Sequence, residues 1–247
     1  MIVNQYVKTG MYHLEKGEAC QDYVQYYEDE RYITSVISDG VTECKYGAEG
    51  AKLACEAVIN FFKIERRRVF SYDSRKLAYL ITEHILSFIE RKNNITEKKD
   101  RYEYAATVST VFIDKDNMEM IAVNLGDSAI ELIRSDKKMI KVLNPKVFSG
   151  QPCLVTTDSA WKVMDVKKFG LQRGTTLFMC TDGFWKNVNT DARINDNLER
   201  CKFKNLNQLL DSFKFTDDCG YIAVSLDDYE DNNLVMAEVK GGDGKRA

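Results

Sequence analysis

Histidine, proline and paired cysteines are scarce in this chain, and these shortages exclude several classes of protein. Only two of the 247 residues are histidine and two are proline. No H-E-x-x-H pattern occurs, which excludes a histidine-rich zinc site. The seven cysteines are odd in number and scattered without a C-x-x-C pair, so we expect neither a disulfide framework nor a thiolate zinc site. Unpaired cysteines are typical of a reducing compartment and predict a cytoplasmic protein.

Long apolar runs, basic patches and several phosphate-binding motifs are also missing. No stretch reaches the roughly 18 apolar residues of a membrane-spanning helix, and the N-terminal region has no apolar core of a secretory signal. The formal net charge is −3, so we expect neither nucleic acid nor a membrane as a partner. The sequence has no G-x-x-x-x-G-K-[ST], no cysteine followed six positions later by arginine, and no G-x-S-x-G. These absences exclude a P-loop and the loop of a cysteine-based phosphatase, and they count against an α/β-hydrolase.

The chain does contain enough apolar sequence for a sizeable core. Hydrophobic residues make up 44%, and no linker or repeat divides the sequence. We therefore predict a single domain over residues 1–240 and a loose tail over 241–247. Apolar residues at helical spacing predict helices over residues 47–65, 75–92 and 206–213. Strands are predicted at residues 31–38, 107–113, 118–125, 129–134, 138–143, 175–180 and 221–226. Helices set between runs of strands indicate an α+β fold, and we expect the strands between residues 107 and 134 to be neighbours joined by tight turns.

Five aspartates lie where predicted strands begin or end: Asp22, Asp39, Asp127, Asp182 and Asp217. A carboxylate beside a buried strand is costly unless it is paired or binds a metal ion, and converging carboxylates repel one another. Oxygen ligands of this kind favour Mg²⁺, Mn²⁺ or Ca²⁺ over zinc or copper. An isolated Asp-Gly after a strand is usually only a turn. The residues by themselves therefore predict a carboxylate metal site and leave the turn interpretation open.

The ordered set of motifs is more specific than any one aspartate. The segments, in chain order, are HLEKGEACQDYV, ISDGVTECKYGAEGA, AATVSTVFI, AVNLGDSAI, TLFMCTDGFWKNV and DDCGYIAVSL, and they extend from residue 13 to residue 226. This set resembles the metal-dependent protein phosphatases of type 2C, in particular a bacterial branch. The resemblance implies a four-layer α-β-β-α sandwich with a metal cleft at one end of the sheets.

The resemblance also implies roles for individual residues. Asp39 matches the aspartate that bridges two Mn²⁺ or Mg²⁺ ions, and Gly40 matches the glycine that offers its carbonyl oxygen. Asp182 and Asp217 match the ligands of one of these ions. The two remaining aspartates match outer positions: Asp22 holds water on a metal, and Asp127 contributes to a weaker third ion.

The opening motif departs from the better-known members of that family. Those members carry an early arginine that holds the substrate phosphate, whereas residues 9–18 contain none. His13, as a hydrogen-bond donor, or Lys16, as a point charge, could serve in this role, although neither is a bidentate fork. His13 is also a candidate for the general acid that protonates the leaving alkoxide. We expect selectivity to depend on residues 144–170, an irregular stretch that resembles the variable flap of the family.

The implied reaction is hydrolysis of phosphoserine or phosphothreonine on proteins by a metal-bridging water held by Asp39. The implied partners are a phosphorylated protein and a serine/threonine kinase or the targets of that kinase. The main alternative is a catalytically weak or inactive relative that binds phosphoproteins or regulates a kinase. The missing arginine argues for this alternative, whereas the presence of Asp39, Asp182 and Asp217 argues against it. A hydrolase with an N-terminal nucleophile is a further alternative, but the chain begins Met1-Ile2 and offers no such nucleophile.

Overall fold

Two five-stranded antiparallel sheets form the centre of the computed structural model, which describes residues 2–148, 151–188 and 191–226. The strands are β1 (Ile2–Lys8), β2 (Asp22–Glu28), β3 (Tyr32–Asp39), β4 (Val108–Asp114), β5 (Glu119–Leu125), β6 (Ala129–Ile133), β7 (Met139–Leu143), β8 (Val147–Phe148), β9 (Gln151–Pro152), β10 (Asp165–Gly170), β11 (Thr176–Cys180) and β12 (Cys219–Ser225). We call the sheet with the order β1-β12-β11-β6-β7 the first sheet and the sheet with the order β10-β5-β4-β3-β2 the second sheet. Strands β8 and β9 pair separately.

Helices cover the outer faces of both sheets. They are α1 (Met11–Lys16), α2 (Gly47–Glu65), α3 (Ser74–Asn93), α4 (Asp182–Val188), α5 (Ala192–Glu199) and α6 (Phe203–Asp211), with 3₁₀ helices at Val69–Ser71, Lys98–Tyr104 and Ala160–Lys162. Helices α2 and α3 pack on the second sheet, and α4 to α6 pack on the first. In the described ranges no helix combines the length and the apolar character needed to cross a membrane.

Three apolar clusters hold these four layers together. The cluster between the sheets contains Ile33 and Val111 of the second sheet and Leu177 and Ile222 of the first, all with no exposed surface. The other two clusters lie between each sheet and its helices. The expected α-β-β-α sandwich is therefore confirmed. Alternating strand residues face the two sides of a sheet, and both sides are buried here. This explains why β4 is buried at all seven positions.

The long helices form where their sequence supports both a buried face and defined ends. In α2, Leu53, Ala57, Val58 and Phe61 recur three or four positions apart and are all buried. Helix α3 begins after Asp73, whose carboxylate accepts a hydrogen bond of 2.8 Å from the Lys76 backbone. It ends at Asn94 in the left-handed conformation, with φ of 52°.

Two predictions about the strands are wrong. Strand β4 pairs with β5, but β5 and β6 are not neighbours, because the chain crosses from the second sheet to the first between Leu125 and Ala129. Gly126, with φ of 123°, permits the change of direction. Residues 144–170 are not wholly irregular either, since Asp165–Gly170 pairs with β5 as an edge strand. The predicted tail at 241–247 lies outside the described residues.

The contact between α2 and the segment before β4 gives a test of packing. A Cβ atom on Gly50 would lie 2.2 Å from the Tyr104 carbonyl oxygen, whereas one on Gly170 would meet no heavy atom within 4 Å. We expect Gly50→Ala to lower the free energy of unfolding by about 2 kcal/mol, because neither backbone can move freely. Urea denaturation followed by circular dichroism measures this. Gly170→Ala is the matched control and should change stability little; equal effects of the two variants would contradict the packing.

Candidate metal centre

Three aspartates from different parts of the chain converge at one end of the two sheets. Asp39 is the last residue of β3, Asp127 lies in the crossover between the sheets, and Asp182 is the first residue of α4. One carboxylate oxygen from each lies within 4.8 Å of the others. The sequence predicted all three as site residues, and the structure brings them together.

Asp22 and Asp217 flank this group. Asp22 pairs with Asp39 across β2 and β3, and its Oδ2 accepts a hydrogen bond of 2.7 Å from the Thr181 hydroxyl. The Thr181 oxygen in turn accepts a hydrogen bond of 2.9 Å from the Gly220 backbone. Because Asp22 belongs to the second sheet and Thr181 follows a strand of the first, this bond ties the sheets together at the site. Asp217 precedes β12, and its Oδ1 accepts a hydrogen bond of 2.9 Å from the Asp218 backbone.

The backbone of Gly40 is held closely on two sides. Its amide donates a hydrogen bond of 3.0 Å to the Gln21 carbonyl oxygen, and the residue forms an isolated bridge with Ala106. A Cβ atom at this position would lie 2.3 Å from the Gly47 carbonyl oxygen. Any other residue would therefore push the start of α2 away from Asp39.

The cluster is electrostatically strained. Burial raises the pKa of Asp39 well above its ordinary value, and the charges of Asp22, Asp182, Asp127 and Asp217 raise it further. Burial likewise raises the pKa of Asp22 despite the Thr181 hydrogen bond. Burial and the Asp182 charge raise the pKa of Asp127 to about 6 and raise that of Asp217. Each carboxylate resists ionisation because the others are close and water is largely excluded.

These donors fit Mg²⁺ or Mn²⁺. All three converging groups are carboxylate oxygens, the ligand type that hard divalent cations prefer. The buried Asp127 Oδ1 has no hydrogen-bond partner among the described residues, although buried polar atoms are nearly always paired. A bound cation would satisfy that oxygen and offset the repulsion.

The opening motif packs beside the cluster through a residue that the sequence did not single out. Asp218 accepts hydrogen bonds from the backbone amides of Gly10, at 2.7 Å, and Gln21, at 2.5 Å. Its Oδ2 also lies 3.0 Å from His13 Nδ1, a close polar contact that lacks the alignment of a hydrogen bond. The pairing of Asp217 and Asp218 in sequence was the available signal, but only the first had an assigned role.

The two residues predicted for the substrate phosphate differ in their surroundings. His13 is 1% exposed, and its Nε2 lies 3.3 Å from the Thr42 hydroxyl. Lys16, at the end of α1, is exposed and has its ammonium 3.7 Å from the centre of the Tyr12 ring. His13 therefore lies inside the motif, and Lys16 lies on its surface.

A second residue that sequence reasoning missed is Lys186. Its ammonium contacts Asp182 Oδ2 one helical turn away on α4. The spacing of four residues within TDGFWK was visible in the sequence. Nearby, the Trp185 ring donates a hydrogen bond of 2.9 Å to the Asp127 carbonyl oxygen and so joins α4 to the crossover.

A family model described as Protein phosphatase 2C matches residues 9–211. The chain belongs to the protein phosphatase 2C family. The matched region contains Asp22, Asp39, Asp127 and Asp182, so the resemblance drawn from the motifs is confirmed at the level of the family. No significant match was found among curated protein sequences.

Solved structures share the phosphatase 2C fold at low sequence identity. The serine/threonine phosphatase Stp1 from Staphylococcus aureus has a TM-score of 0.64 and 15% identity, covering 92% of this chain and 95% of that chain. The Mycobacterium tuberculosis serine/threonine phosphatase PstP/Ppp has a TM-score of 0.64 and 13% identity, covering 92% and 99%. RsbX in complex with magnesium has a TM-score of 0.57 and 16% identity, covering 90% and 92%.

The raised pKa values of the phosphatase 2C cluster predict how the metal-free protein responds to pH. A carboxyl group whose native pKa exceeds its unfolded value of about 4 makes the native state bind more protons. These groups therefore add to the free energy of unfolding at low pH, and this contribution is lost as the pH rises through the native pKa, which is about 6 for Asp127. We expect the Tm in EDTA to fall between pH 5 and pH 7, and Mn²⁺ to remove this fall.

Asp39→Asn is the informative variant for this experiment, because an amide keeps the shape of the side chain and removes one of the repelling charges. The Tm of the variant in EDTA at pH 7 should exceed that of the unaltered protein. Asp29 and Asp114 have lowered pKa values, because hydrogen bonds from backbone amides and arginines outweigh the effect of their burial. Their protonation therefore changes the free energy of unfolding only at pH values below about 4. A Tm that rises from pH 5 to pH 7 without metal would contradict the electrostatic account.

Proposed function

We propose that this chain is a metal-dependent phosphatase that hydrolyses phosphoserine or phosphothreonine monoesters on proteins. The observation that supports this most is the convergence of Asp39, Asp127 and Asp182 oxygens within 4.8 Å at the ends of two sheets. Membership of the protein phosphatase 2C family agrees with the reaction class. A cluster of like charges that is unfavourable without a cation is the arrangement that a metal-dependent hydrolase requires.

In this proposal the ions are Mn²⁺ or Mg²⁺, two in number with a weaker third. Asp39, the Gly40 carbonyl, Asp182 and Asp217 would hold the first two, Asp22 would lie behind them, and Asp127 would serve the third. The magnesium in the similar structure of RsbX supports the choice of a hard divalent ion. When bound, such ions neutralise charge on phosphoryl oxygens and make water a better nucleophile.

The residues of the chain supply position rather than covalent chemistry. Asp39 orients the attacking water. Its backbone is held in place because the Asp39 carbonyl oxygen accepts a hydrogen bond of 2.8 Å from the Thr107 amide, and the Gly40 amide donates to the Gln21 carbonyl oxygen. The Thr181 hydroxyl keeps Asp22 and the first sheet at a constant separation. Fixed positions of this kind reduce the entropy lost when water and phosphate meet in line.

A turnover assay tests the proposed reaction. We expect hydrolysis of p-nitrophenyl phosphate and of a phosphothreonine peptide in Mn²⁺ or Mg²⁺, and loss of both activities in EDTA. Asp39→Asn should lower kcat by about a hundredfold or more, since the lost charge served both ions. Asp100→Asn, at an exposed aspartate of the Lys98–Tyr104 helix, is the matched control and should retain full activity.

The assay also separates the proposal from its alternative. Full turnover after exhaustive EDTA treatment would refute a metal-dependent reaction. Binding of Mn²⁺ without turnover of either substrate would instead favour the inactive module that binds phosphoproteins or regulates a kinase. Wild-type kcat for Asp39→Asn at saturating Mn²⁺ would show that the reacting centre lies elsewhere.

His13 has two candidate roles, the general acid and an anchor of the opening motif. Its burial and its contacts with Asp218 and Thr42 favour the anchor, because both ring nitrogens already face polar neighbours. We therefore expect His13→Gln to lower kcat/KM to a similar degree for p-nitrophenyl phosphate and for the phosphothreonine peptide. p-Nitrophenolate leaves without a proton, so a loss confined to the peptide would identify His13 as the acid.

Lys16 is the remaining candidate for the substrate phosphate. An exposed ammonium on α1 contributes a point charge that salt screens, so Lys16→Ala should raise KM and leave kcat nearly unchanged. In the absence of an arginine fork, which would give two charge-assisted hydrogen bonds, we expect KM for small phosphoesters to be high.

The proposed substrates are phosphorylated proteins, in particular a serine/threonine kinase or the targets of that kinase. Stp1 and PstP/Ppp are described as serine/threonine phosphatases, and another similar fold comes from work on the bacterial stressosome. We place the chain in the cytoplasm of a bacterium. None of the seven cysteines, all within described residues, forms a disulfide, which agrees with a reducing compartment.

A further inference from the structure

Lys186 brings a fixed positive charge into the carboxylate cluster. Its ammonium contacts Asp182 Oδ2, and the two residues are four positions apart on α4. The Asp182 side chain is 9% exposed, whereas that of Lys186 is 53% exposed. The lysine therefore reaches inward from the surface to a carboxylate that is almost buried.

The ammonium offsets part of the negative charge around Asp182. Lys186 opposes the rise in pKa that burial and Asp182 impose on Asp127 and on Asp217. The charges that act most strongly on Asp39 are all carboxylates.

A divalent ion and the ammonium would bind the same carboxylate. Lys186 contacts Asp182 Oδ2, and Asp182 is also one of the three converging donors. Two cations on one carboxylate repel each other, so each lowers the affinity of that carboxylate for the other. Binding of the ion therefore weakens the contact of the ammonium, and the exposed stem of Lys186 allows it to move into solvent.

We propose that Lys186 is a built-in competitor of the divalent ion: it stabilises the metal-free cluster by pairing with Asp182 and lowers the affinity of the site for metal. Lys186 is thus a positioning residue that acts through Asp182. By thermodynamic linkage, whatever the lysine adds to the stability of the metal-free state is subtracted from metal binding. The inference rests on the proposed metal site, because it concerns the response of that site to its ion.

The test is a calorimetric titration of the EDTA-treated, dialysed protein with Mn²⁺, repeated on Lys186→Met. Methionine keeps much of the apolar stem and removes the charge. We expect Mn²⁺ to bind the variant about tenfold more tightly, since a unit charge within a few ångströms is lost. Lys186→Arg keeps the charge and should bind Mn²⁺ with nearly the original affinity.

Thermal unfolding provides a second readout that does not depend on turnover. Lys186→Met should have a lower Tm than the unaltered protein in EDTA, and saturating Mn²⁺ should raise its Tm by a larger increment. If Lys186 had only a structural role, Lys186→Met would lower the Tm in EDTA and the Tm in saturating Mn²⁺ by equal amounts. Arg200→Met is the matched control, because it removes an i,i+4 ion pair with Asp196 at 2.6 Å on the neighbouring helix; its Mn²⁺ affinity should be unchanged.

The outcomes separate this inference from the proposed function. If the unaltered protein and all variants bind no Mn²⁺, the metal site itself is refuted. If the unaltered protein binds Mn²⁺ and Lys186→Met binds it with the same affinity and the same rise in Tm, the competition is refuted and the metal site stands. Tighter binding by Lys186→Met but not by Lys186→Arg or Arg200→Met supports the competition.

Discussion

Repulsion between buried carboxylates is the constraint on which the rest of this structure depends. Asp22, Asp39, Asp127, Asp182 and Asp217 come from five segments of the chain, and the fold forces them together where the sheets end. Each would be less costly in water. The apolar contacts between the two sheets and the helices must therefore supply the free energy that holds the cluster together. A site that is unfavourable when empty gains most from a ligand that removes the strain.

The surroundings of the cluster show how that strain is contained. Thr181 donates to Asp22 across the gap between the sheets, and Asp218 gathers the backbone amides of Gly10 and Gln21. These bonds join segments far apart in sequence, so displacement of any one ligand requires several others to move. Two kinds of group thus offset the negative charge. Hydrogen-bond donors contact the carboxylates of Asp22 and Asp218, and the Lys186 ammonium contacts the carboxylate of Asp182.

Much of the fold and of the site could be predicted from the sequence, for identifiable reasons. Helix α2 has a one-sided apolar pattern, and its predicted bounds, residues 47–65, agree with the structure. The aspartates after apolar strands stood out because a charge beside a buried strand needs an explanation. Prediction of a site at Asp39, Asp127 and Asp182 required the order of the motifs as well, since a single Asp-Gly after a strand is usually only a turn.

The errors have physical causes too. Strands β5 and β6 are separated by only three residues, a spacing typical of a hairpin. The chain nevertheless passes from the second sheet to the first at this point. The local sequence does not indicate which strands β6 will pair with. Asp218 was missed because its partners, the backbone amides of Gly10 and Gln21, are far away in sequence. Lys186 was missed because its contact with Asp182 matters only once Asp182 is known to lie in the cluster. The family explains the architecture. The identities of 13% to 16% with the similar solved structures are too low to transfer the details of their sites to this chain.

The pairing of β1 with β12 has a consequence for how the molecule is made. Ile2 to Lys8 align with Ser225 to Cys219 over seven residue pairs, so a strand that is synthesised early must wait for one that is synthesised much later. Contacts of such large sequence separation form slowly, and a ribosome delivers the chain from its N-terminus. The second sheet and α2 and α3 are complete well before β12 emerges, but Asp217 and β12 are not. A nascent chain therefore lacks a complete carboxylate cluster until Asp217 and β12 have been synthesised.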